Sequence, residues 1–94
     1  MEHKIEGPLD YLLARSQLET DIARQILEKA RLDNDYHREK AAAKLLDFHE
    51  HEEQMVALYV EAKSLYPDMA ATLEKRRPHL LSMMKEAELL WNAV

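Results

Sequence analysis

From Leu9 to Tyr66 the chain runs 58 residues without a glycine or a proline. Sheets need tight turns, and tight turns draw on those two residues, so a many-stranded fold has almost nowhere to reverse direction. The only glycine is Gly7 and the three prolines are Pro8, Pro67 and Pro78. Between them stand Ala, Leu, Glu, Lys, Arg, Gln and Met, all strong helix formers. The spacing predicts an all-α protein. Its 94 residues suffice for a single helical-bundle domain over 1–94, with 1–7 as a flexible lead-in.

Proline placement and polar caps divide that domain. Pro8 suits a first helical position, where its missing N–H costs nothing, and Asp10 lies in the first turn, where the helix dipole favours an anion. The first helix stops at Asp33-Asn34-Asp35. Asn accepts a left-handed exit and Asp35 can cap the next helix. That second helix runs from about Tyr36 to Tyr66. With no Gly or Pro at the break, one continuous helix from Pro8 to Tyr66 is the alternative. Pro67 restarts a short helix to about Arg76, and Pro78 starts the last one. The expected architecture is an antiparallel hairpin of two long helices plus a broken third, a three-helix bundle.

Both long helices carry apolar stripes at three-and-four spacing. The first reads Leu9, Leu12, Leu13, Ser16, Glu19, Ala23, Ile26, Leu27, Ala30. The second reads Ala41, Leu45, Phe48, Glu52, Met55, Val56, Tyr59, Ala62, Leu65. A glutamate interrupts each. Folding back at the 33–36 turn sets Glu19 and Glu52 at one height on facing helices, with His49 one turn from Glu52. A carboxylate in a packed seam needs a partner, a proton or a metal, because desolvating it unpaired is costly. The partners within reach in sequence are His49, Tyr59, Thr20 and Ser16.

Glu19, His49 and Glu52 could bind a divalent transition metal such as iron, manganese or zinc, with a second copy completing the shell. The set resembles half of a ferritin-like dimetal site. That resemblance implies a carboxylate-bridged metal pair inside a helical bundle, and it rests on these three residues. It departs from the pattern in order: the chain reads His49-x-x-Glu52 where that class has Glu-x-x-His. Glu50-x-x-Glu53 similarly lacks the downstream Glu-x-x-Asp of helical magnesium-dependent nucleotide hydrolases.

Composition narrows the partners. A net charge of −5 argues against a phosphate backbone, and the basic run Lys75-Arg76-Arg77 has no interleaved aromatics for base stacking, so no nucleic acid is expected. With no cysteine, disulfides and thiol chemistry are excluded. No run approaches the ~18 apolar residues of a membrane span, and Met-Glu-His-Lys-Ile-Glu leads into no signal core. The expectation is an acidic protein of the cytoplasm that does not enter membranes. No nucleophile triad or phosphate loop can be assembled. Leu18, Leu32, Leu46 and Val60 fall off the stripes, which favours self-association into a homodimer or higher homo-oligomer. The sequence therefore reads as a non-enzymatic bundle acting through protein–protein association, with metal binding as the alternative and carboxylate-mediated hydrolysis third.

Overall fold

The computed structural model describes residues 7–93, and every described element is helical: α1 (Pro8–Leu32), α2 (Tyr36–Leu65), α3 (Pro67–Arg76) and α4 (Pro78–Asn92). Residues 1–6, most of the expected flexible lead-in, lie outside the described residues. Prolines open α1, α3 and α4 at their first positions. No described helix is long and apolar enough to cross a membrane.

The break between α1 and α2 is built from three polar residues. Asn34 takes the left-handed conformation, with φ 54°. Its N–H bonds the Arg31 carbonyl at 3.2 Å, and the Asp35 N–H reaches back to the Ala30 carbonyl at 3.1 Å. Those two bonds satisfy carbonyls that the ending helix leaves open. The Asp35 carboxylate then accepts from the Arg38 N–H at 3.1 Å and caps α2. The continuous-helix alternative fails here, because Asn34 turns the chain without glycine.

α1 packs most extensively on α2; α3 packs on α2, and α4 packs on α1 and α3. Small residues line the α1–α2 seam: Ser16, Thr20, Ala23 and Ala30 from α1, and Ala42 from α2, with Leu27 as the large member. Thr20 sets the register. Buried to 2% exposure, its hydroxyl lies 3.1 Å from the Ser16 carbonyl and 3.3 Å from the His49 carbonyl across the seam. The chain's main core is elsewhere, around Leu12, Val56, Tyr59, Ala70, Leu80 and Met84, where all four helices contribute.

Length decides what is covered. At ~1.5 Å per residue, the 30 residues of α2 span about 45 Å, close to the molecule's 46 Å long dimension. By the same rise, the 10 residues of α3 reach about 15 Å and the 15 of α4 about 22 Å. They close the half of the hairpin that holds the chain ends and leave the half near the turn as two helices only.

The stripe expected on α2 is therefore wrong in its first half. Ala41, Leu45 and Phe48 are exposed, and the residues turned toward α1 are Ala42, Leu46 and His49. Ile26 on α1 and Leu65 on α2 are likewise exposed, whereas Leu46 and Val60, placed off the stripe, are half-buried. The reason is that α2 has two neighbours on different sides. The row Ala41, Leu45, Phe48, Glu52, Met55, Tyr59 faces where α3 and α4 lie, and those helices reach only its second half.

Candidate functional site

Glu19 and Glu52 do not sit in the closed seam. Their side chains retain 42% and 21% exposure and line one cavity of about 230 Å3 where α4 meets the hairpin. The packed positions at this level belong to Thr20 and Ser16. Glu19 and Glu52 stand a fraction of a turn farther around, at the edge where α4 begins to cover the pair.

Each glutamate has its own imidazole. His49 Nδ1 lies 3.9 Å from Glu19 Oε2, across the hairpin. Glu52 Oε1 lies 3.5 Å from Nε2 of His79, which the proline-started first turn of α4 brings in. These contacts are ion pairs when the rings are protonated. Arg15 completes the edge: its Nε is 3.7 Å from Glu19 Oε1, and its Nη1 is 3.0 Å from Glu86 Oε1 on α4. Donating to Glu86 favours the charged guanidinium and raises the Arg15 pKa, against a smaller opposing effect of burial. Each pair has at least one partner that is more than two-fifths exposed, which limits its contribution to stability.

Glu19, His49 and Glu52 are thus near one another, but the two carboxylates lean on different rings. Among the described residues no three His, Asp or Glu side chains are grouped to hold a metal ion. A metal centre at Glu19, His49 and Glu52 requires donors from a second copy.

A second polar cluster lies within the four-helix half. Tyr59, fully buried on α2, donates its hydroxyl to Glu74 Oε2 on α3 at 2.5 Å. Lys63 Nζ approaches the same carboxylate oxygen at 3.4 Å. Burial first, and then the bond to Glu74, push the Tyr59 hydroxyl well above its ordinary pKa. The same hydrogen bond holds Glu74 below the usual carboxylate range, helped by Lys63 and opposed by desolvation. The cluster ties α3 to α2.

Sequence reasoning missed His79 and Glu74. Each meets its partner through a helix that starts at a proline, so only the corner at that proline, and not any spacing within a helix, sets the encounter. The sole sequence signal for Glu74 is an acidic residue on the face of α3 beside Leu73. No protein-family model matches the chain, and no curated protein or solved structure is similar to it.

Proposed function

We propose that the chain acts by association, in the first place with a second copy of itself, through the uncovered half of the hairpin. One observation carries this reading. Of the thirteen large hydrophobic side chains exposed among the described residues, Ile22, Ile26, Leu45 and Phe48 lie together on the face that α3 and α4 leave uncovered. Isolated exposed leucines are ordinary, but a continuous row is a docking surface. Arg15, Glu19, Ile22 and Ile26 lie along one line on α1, and Ala41, Leu45, Phe48 and Glu52 lie along one on α2. The first line meets α4 at Arg15 and the second meets it at Glu52. Beyond those points the rows continue bare, with Phe48 at 59% exposure.

A second copy is the occupant that suits this face. A two-fold contact sets a patch against its own image, so a charge near the axis would meet a like charge. Past Glu19 and Glu52, the stretch Ile22, Ile26, Ala41, Leu45, Phe48 carries none. Setting two such faces together converts two open hairpins into a four-helix arrangement of ordinary geometry. Light scattering coupled to gel filtration tests this: the native chain runs as a dimer, and Ile22→Lys with Phe48→Lys gives a folded monomer of unchanged helix content. A native chain that is monomeric at millimolar concentration overturns the proposal.

A second reading has its own support in the approach of His49 to Glu19 between facing helices. In it, Glu19, His49 and Glu52 bind a divalent metal with donors from the second copy. Elemental analysis of protein purified without chelator tests it: stoichiometric metal that is lost in Glu52→Ala supports the reading, and metal-free protein removes it.

A further inference from the structure

The cavity that Glu19 and Glu52 line has an unbalanced electrical lining and one polar group with nothing to bond. Three carboxylates reach it (Glu19, Glu52 and Glu86) against the single fixed cation of Arg15. That leaves two negative charges in excess. Arg15 is committed to Glu86 at 3.0 Å and stands farther from Glu19 at 3.7 Å, and Glu52 is paired with the His79 ring. Carboxylates alone would signify little, since an acidic lining is often solvated.

Ser16 is the independent observation. The residue is 4% exposed, yet its hydroxyl has no hydrogen-bond partner among the described residues. Thr20 donates to the Ser16 carbonyl, and Ser64 turns its hydroxyl back onto the Val60 carbonyl; no such bond is made by the Ser16 hydroxyl. Among the described residues no side-chain oxygen shut away from solvent is unbonded. The Ser16 oxygen is therefore reached from outside, and the cavity between α1, α2 and α4 is where Ser16 opens. An almost buried hydroxyl without a partner is an acceptor and donor held ready for a ligand.

The rest of the wall is Leu12 below Ser16 and Met83 and Ala87 from α4, with Tyr11 of α1 as its one further polar side chain. At about 230 Å3 the space exceeds the ~30 Å3 share of a single water several times over, and it is smaller than sites for drug-sized ligands. Among the described residues no three His, Cys, Asp or Glu side chains are grouped to hold a divalent metal. A primary ammonium suits the lining better. Its three N–H donors match two carboxylates and one hydroxyl, and a short alkyl body matches leucine, methionine and alanine.

We infer that this cavity is a binding site for a small organic ammonium with a short aliphatic body, held by Glu19, Glu52 and Ser16 and packed on Leu12 and Met83. The inference stands on the cavity and does not depend on what covers the open half of the hairpin. The test is amide-resolved NMR titration of the full chain with n-butylammonium, beside n-butanol and butyrate as the neutral and anionic analogues. The expected result is saturable shifts at Ser16, Glu19, Glu52 and Met83 with the ammonium only. Losing two charge-assisted hydrogen bonds in the Glu19→Gln/Glu52→Gln double variant weakens that binding by about tenfold or more. Ser16→Ala, a substitution that favours helix, weakens it less and keeps the fold if the double variant does not. Equal shifts with butanol, affinity unchanged in the variants, or response to zinc without response to the ammonium each overturn the assignment.

Discussion

One half of the α1–α2 hairpin is roofed by two more helices and the other half is bare, although the same two helices build both. In the roofed half Tyr59, Val56 and Leu80 are fully buried, and large side chains from four helices interlock around them. In the open half the seam is Ala23, Leu27, Ala30 and Ala42, none of them part of the main core. Two helices can bury one narrow stripe each. A third and fourth neighbour turn that stripe into a core, whereas the bare half buries one large apolar side chain, Leu27, and leaves Ile22, Ile26, Leu32, Leu45 and Phe48 exposed.

Truncation tests that contrast most severely. Leu80→Ala removes a fully buried side chain at the junction of α4 with the core and is expected to cost about 3–5 kcal/mol in urea or thermal unfolding. Leu45→Ala, on the open row, is expected to stay within about 0.5 kcal/mol for the dilute chain. Equal losses at the two positions would mean that the halves are not energetically distinct.

Tyr59→Phe is a smaller perturbation of the roofed half. It leaves Glu74 with the charges of Lys63 and Lys85 and is expected to cost about 1–2 kcal/mol, because a hydrogen bond to a charged partner is lost and no cavity is made. A neutral outcome would show that α3 is held by packing and not by this cluster.

The same cluster gives the least of these effects a pH signature. Glu74 has a folded pKa below its ordinary 4.5, so its contribution is present above that value and is lost as pH falls through the depressed folded pKa. Tyr59 has a folded pKa raised above 10.0, so its contribution is complete below pH 10 and declines as pH rises from there toward the raised value. Stability should therefore fall at both extremes, and Tyr59→Phe should flatten both limbs together. Melting temperature against pH reads this directly, and a variant that moves only one limb contradicts the shared bond.

The helix ends were legible in the sequence because their causes are local. Pro8, Pro67 and Pro78 fix where helices start, and Asn34 and Asp35 end one and cap the next within three residues. The face of α2 was not legible, because Ala41-Leu45-Phe48 and Ala42-Leu46-His49 are both tolerable apolar rows. Only the reach of α3 and α4 decides which row is covered. Glu19 and Glu52 were recognisable as neighbours from their distance to the turn. Their half-open setting, and the His79 contact, depend on the corner at Arg77-Pro78, which no periodicity encodes.

Residue-resolved hydrogen exchange measured against protein concentration addresses the central claim, that the open half is finished by a second copy. Local opening is cheapest where few apolar contacts are made, and association adds protection by mass action. At low concentration the amides of 20–31 and 38–50 should exchange much faster than those of 54–64 and 80–88, and their protection should climb as concentration rises while the second group changes little. Protection that is equal in the two halves and indifferent to concentration would contradict a hairpin completed by its own copy.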